Sequence, residues 1–132
     1  MKAVAYLVAV TMAATSGIAA AQTRTQTKTR DLTVKLGATV EIGTYYLVNT
    51  KSCQAGPLPK IVQTSKPTIG KLIIEETKVE PSQKNCSGFL IPANIVRFEA
   101  GDKAGKETIT YEVVYQAKKL GTVKVENNIT VQ

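Results

Sequence analysis

The chain has 132 residues, with 17 Lys and Arg against 10 Asp and Glu, a formal net charge of +7, two Cys and neither His nor Trp. Such a length makes one domain with a core of its own. The missing histidines remove the commonest general base and metal ligand, and two cysteines outside a CxxC pair cannot complete a zinc site. Classical triads, zinc hydrolases and thioredoxin-like redox chemistry are therefore excluded, and neither a metal nor a cofactor is expected.

Residues 1–21 read as a secretory signal peptide. Lys2 supplies the positive start, Ala3 to Ala14 form the apolar run, and Ala19-Ala20-Ala21 supply small residues for cleavage before Gln22. The run is too short to span a bilayer, so no transmembrane segment is expected in the mature chain. The implied location is the periplasm or the extracellular space. In such an oxidising compartment Cys53 and Cys86 should pair, closing a loop of 34 residues.

Residues 22–30 hold Arg24, Lys28 and Arg30, alternating with threonine or glutamine and without one apolar side chain after the signal. They read as a flexible basic arm, or more sharply as an edge strand or an arm meeting an anionic surface. The remaining residues, 31–132, carry 13 basic and 10 acidic side chains, so much of the excess charge sits in the arm.

From Asp31 onward the periodicity is β throughout. Leu32, Val34 and Leu36 share a face, and Val40, Ile42, Thr44, Tyr46 and Val48 continue the alternation in a second strand. Short strands follow at 60–64 and 71–79, bounded by prolines, and at 95–99. The clearest is 107–116, where Ile109, Tyr111, Val113 and Tyr115 should face inward. Val123, Val125, Ile129 and Val131 define the last strand, and Asn127 on its apolar side predicts a bulge or bend. Seven short strands, Gly and Pro punctuation and one cross-chain cystine predict an all-β, immunoglobulin-like β-sandwich over 31–132.

Two segments resemble cadherin-like or Ig-like repeat modules of bacterial surface proteins. One is Lys66-Pro67-Thr68-Ile69-Gly70-Lys71-Leu72, similar to a Pro-x-x-Gly turn feeding a strand. The other runs from Phe98 through Gly105 and Glu107 to Ile109, Tyr111 and Val113, similar to the aromatic, loop, Gly, acidic, Tyr, Val ending of the module. The resemblance implies the fold and a single-domain exported bacterial protein. The acidic calcium motifs of classical cadherins are absent, and no activity carries over with the fold.

Candidate binding residues are cationic. The loop at 49–59 and the stretch at 81–88, joined by the expected cystine, should bring Lys51, Lys60 and Lys84 together on a stiff support. Arg24, Lys28 and Arg30 of the arm complete the set. Tyr45 is the aromatic expected to be exposed, which leaves no stacking platform for specific nucleic-acid binding. Asp102 and Glu107 should pair with Lys103 or Lys106. Glu75 and Glu76 point to opposite faces of a strand and make no acid–base pair. No serine has a partner to activate it, so the chain reads as no enzyme. The expected function is an exported binding or structural module of the cell envelope that contacts an anionic envelope polymer or a protein partner. Alternatives are a secreted hydrolase inhibitor working through the disulfide-linked loops, or a strand-exchanging surface subunit.

Overall fold

The computed structural model describes residues 25–117 and 120–132. The expected signal peptide, Arg24, Lys118 and Lys119 lie outside them. Seven strands follow in chain order: β1 (Thr25–Val34), β2 (Thr39–Tyr45), β3 (Lys60–Gln63), β4 (Gly70–Val79), β5 (Ile91–Ala100), β6 (Gly105–Val114) and β7 (Thr122–Val131). They form a four-stranded sheet in the order β1-β7-β6-β3 and a three-stranded sheet in the order β2-β5-β4. All pairings are antiparallel except β1 with β7, which is parallel.

The two sheets share one core, because each contributes an alternating apolar face. Ile109, Tyr111 and Val113 of β6 and Val125, Ile129 and Val131 of β7 meet Val96, Phe98 and Ala100 of β5, with Val34 and Ile42 from β1 and β2. Burying a side chain the size of Phe98 contributes about 2–3 kcal/mol. On the other face of β5, Ile91, Ala93 and Ile95 are also buried, which is why its burial pattern loses its period between Ile95 and Val96. Pro92 is accommodated in this central strand because the pairing of β2 with β5 stops at Tyr45–Asn94.

Three expectations are corrected here. The flexible reading of 22–30 gives way to the edge-strand alternative: from Thr25 on the segment is the first half of β1, which pairs residue by residue with Thr122–Val131. An edge strand is held by main-chain hydrogen bonds, so the lack of apolar side chains does not prevent it. Thr29 and Asp31 add side-chain bonds to Glu126 and Asn128 of β7. Second, β7 has no bulge at Asn127. It stays in register with both neighbours, and Asn127 is buried in place. Third, the irregularity lies in β2, where Ile42 is the extra residue between the pairs Glu41–Arg97 and Gly43–Val96.

The Ile42 bulge reverses the faces of the rest of β2. Gly43 and Tyr45, not Thr44 and Tyr46, now lie on the core side. A Cβ at Gly43 would overlap the Tyr45 ring, so glycine there makes room for the tyrosine to fold inward. Arg30 crosses from β1 and donates from Nη1 to the Ile42 carbonyl at 2.7 Å, linking the edges of the two sheets.

Glu107 pairs with no lysine among the described residues. Its carboxylate accepts from the Thr68 amide at 2.8 and 3.0 Å, from the Thr68 hydroxyl at 3.0 Å and from the Ile69 amide at 3.2 Å. This bond set pins the Pro67–Gly70 turn to β6. Gly70 is required at its end, because a Cβ would strike the Glu99 carbonyl and the Phe98 ring.

Two stability outcomes follow. Glu107→Ala should cost about 1–2 kcal/mol in urea denaturation, the loss of charge-assisted bonds at a partly exposed site; a change below 0.5 kcal/mol, about the level of an uninvolved surface position, removes the pinning role. Cys53→Ser with Cys86→Ser should cost about 3–4 kcal/mol by loop-closure entropy, read by the same titration.

Candidate functional site, a cationic loop end

The strand registers gather three connections at one end of the molecule. Lys60 pairs with Val114, Val114 with Thr122, and Thr122 with Thr25; in the other sheet Val79 pairs with Ile91 and Tyr45 with Asn94. The β2–β3, β4–β5 and β6–β7 connections therefore share this end with the start of β1.

The β2–β3 connection is built, not slack. Val48 and Ala55 form a bridge, with the Gly56 amide donating to the Leu47 carbonyl and the Asn49 amide to the Gln54 carbonyl. The Asn49 side chain accepts from the amides of Lys51 and Ser52, an Asx turn that fixes the tip. Cys53 takes a left-handed backbone, φ +60°, at the turn, where its amide donates to the Asn49 carbonyl.

The β4–β5 connection is tied to that tip. Cys53 and Cys86 form a disulfide with Cα atoms 5.3 Å apart, and Asn85 Nδ2 donates to the Thr50 carbonyl. Lys84–Cys86 is a single 3-10 turn, after which the Phe89 amide donates to the Cys86 carbonyl. Gly88, at φ +90°, donates its amide to the Glu80 carboxylate. Tyr46 accepts from the Ser82 amide at 2.9 Å, securing the front of the loop.

Lys51 and Lys84 each adjoin in sequence one member of the bonded pair Thr50–Asn85, and both are exposed. Lys60 is exposed at the start of β3, on the same end but outside the cross-linked pair. The segments 46–60 and 80–90 contain these three lysines and one acid, Glu80, whose carboxylate is taken by Gly88. Lys28 is exposed on β1 opposite Val125, whereas Arg30 is committed to Ile42. The structure thus brings Lys51, Lys60 and Lys84 to one end and places Arg30 in a structural contact.

The exposed aromatic is not Tyr45. Tyr45 packs against the core, and its hydroxyl hydrogen-bonds that of buried Tyr111 at 2.7 Å, with the rings edge-to-face at 6.0 Å. Phe89 and Leu90, in contrast, are 51% and 66% exposed beside the disulfide. The sequence reading, which starts this strand at residue 95, passed over them because an adjacent apolar pair has no period that separates an inward residue from an exposed one. Two shallow grooves of about 380 and 430 Å³ meet at Pro57, lined by Leu47, Leu120, Ile61 and Ile74 among others. No cluster of three or more His, Cys, Asp or Glu side chains is present among the described residues.

Burial raises the phenol of Tyr111 far above its ordinary value, reinforced by the Tyr45 hydroxyl, with Asn127 and Arg30 working weakly the other way. Tyr45 and Tyr115 are raised for the same reason, desolvation. The chemistry offered by the loop end is exposed positive charge and apolar contact on a stiff support.

No protein-family model and no curated protein matches this chain. The resemblance to cadherin-like or Ig-like modules therefore rests on its motifs. Among solved structures, that of PbICP-C in complex with falcipain-2 is similar, at 16% identity and a TM-score of 0.36, covering 84% of this chain and 92% of that one.

A phenol whose pKa is raised by folding keeps its proton when the unfolded chain loses it. Stability should therefore be level up to about pH 10 and fall as pH rises beyond it. Tyr45→Phe should cost about 1–2 kcal/mol at neutral pH by stranding the Tyr111 hydroxyl, and should flatten the alkaline fall. Urea midpoints across the alkaline range measure both.

Proposed function

We propose that this chain is a non-enzymatic, exported binding module that contacts an anionic component of the cell envelope, a polymer or an acidic protein surface, through its loop end. The observation that carries this reading is the convergence of Lys51, Lys60 and Lys84 from separate segments onto one end, with the one acid of those segments engaged by a backbone amide. Charge arranged this way steers anionic partners and makes binding salt-dependent.

The architecture supports an immunoglobulin-like assignment. Numbered in chain order, strands two, five and four form one sheet and three, six and seven the other, the BED and CFG grouping of that fold, with the first strand moved onto the seventh. Loops at that end of such a scaffold are its common binding surface. Export is supported by the cystine.

The cross-linked hairpin at 47–56 favours a second reading, an inhibitor that plugs a hydrolase cleft with stiff loops. A strand-exchanging subunit receives no comparable support, since β1 is paired along its length with β7 of its own chain.

Affinity for polyglutamate, measured at rising salt, tests the first reading. Replacing Lys51, Lys60 and Lys84 with Gln should weaken binding at low salt by about tenfold or more and reduce the salt slope. Unchanged affinity removes the loop end from the function. The inhibitor reading expects reduction of the disulfide to abolish activity while the lysine variant retains it.

A further inference from the structure

We infer that the envelope component taken by the loop end is an anionic lipid bilayer, with Phe89 and Leu90 entering its interface while Lys51, Lys60 and Lys84 meet the headgroup phosphates. This rests on the anion-binding reading of the loop end in the proposed function and commits that site to a lipid surface in place of a polymer or an acidic protein.

Phe89 and Leu90 are consecutive, 51% and 66% exposed, and they follow a loop closed by the disulfide, the Glu80–Gly88 bond and the Phe89–Cys86 bond. The loop is therefore ordered before it meets a partner, and little conformational freedom remains to be lost on binding. Scattered surface leucines are ordinary. An adjacent Phe-Leu pair on a cross-linked loop, at an end supplied with lysines from two connections, is a more specific arrangement. A hydrophilic polyanion would satisfy the lysines and leave the apolar pair in water. An anionic bilayer satisfies both, because its phosphates lie over an apolar boundary that interfacial side chains enter by about 5–10 Å.

Two apolar side chains anchor weakly alone, so the charge is a required second signal. Each lysine close to an anionic surface should raise partitioning roughly fivefold. The three lysines come from two connections, Lys51 and Lys60 from residues 46–60 and Lys84 from residues 80–90.

The test uses the purified protein with vesicles of phosphatidylcholine alone or mixed with phosphatidylglycerol, and with polyglutamate as an anion lacking an apolar phase. Co-sedimentation should be strong with the anionic vesicles and weak with the neutral ones. Phe89→Ser with Leu90→Ser should lower vesicle partitioning by about tenfold or more while leaving polyglutamate binding unchanged. The chain has no Trp, so Phe89→Trp supplies a single reporter whose emission should shift to the blue with anionic vesicles and not with polyglutamate. Thermal melts of each variant establish that it is folded.

Absent vesicle binding, a Trp emission that stays unshifted, or equal vesicle binding by the Ser variant overturns the bilayer inference. If polyglutamate binding still depends on the lysines, the proposed function stands without it. If neither anion requires the lysines, both fail. Capture of an envelope protein through Phe89 and Leu90, with no vesicle binding, overturns it in favour of a protein partner.

Discussion

The alternating apolar face of β6 must be buried, and the remainder of the fold is arranged to bury it. Ile109, Tyr111 and Val113 are inaccessible to solvent, and nothing in their own sheet can cover them. The second sheet does so through Val96 and Phe98 of β5. Burial of apolar surface is the largest favourable term available to a chain of this size. Once these faces meet, the strand ends, and with them the connections, are fixed in space.

Tyr111 makes that packing more demanding than an aliphatic core would. Its hydroxyl is buried along with its ring, and a buried hydroxyl needs a partner. Tyr45 supplies it, from a strand whose simple alternation would have turned that residue outward. The extra residue at Ile42 shifts the face, Gly43 clears the space, and Arg30 takes the Ile42 carbonyl. Asn127 remains the exception. It is fully buried near the Tyr111 hydroxyl, whose pKa it lowers, yet neither polar atom of its side chain reaches good hydrogen-bond geometry among the described residues.

The loop end depends on the same registers. They bring the β2–β3 and β4–β5 connections side by side, and the cystine then joins them. Local bonds around Asn49 and Glu80 stiffen each loop. Ordered loops carry exposed charge and apolar surface at low entropic cost on binding, which is the physical basis for reading this end as the working surface.

The sequence by itself determined most of the strands, the inward face of β6, the cystine and the excess of lysine in the connections. Each is a local matter: a period of two, punctuation by Gly and Pro, or the pairing of two cysteines. The course of residues 25–30 was decided by β7, because an edge strand takes its hydrogen bonds from its neighbour whatever its side chains. The inward turn of Tyr45 was decided by one unpaired residue in β2, which no periodicity announces, and the role of Glu107 by a turn some forty residues earlier in the chain. The exposure of Phe89 and Leu90 was settled the same way, by a cross-linked loop that ends just before the chain enters β5. These features depend on contacts between segments distant in sequence, so only the tertiary structure could decide them.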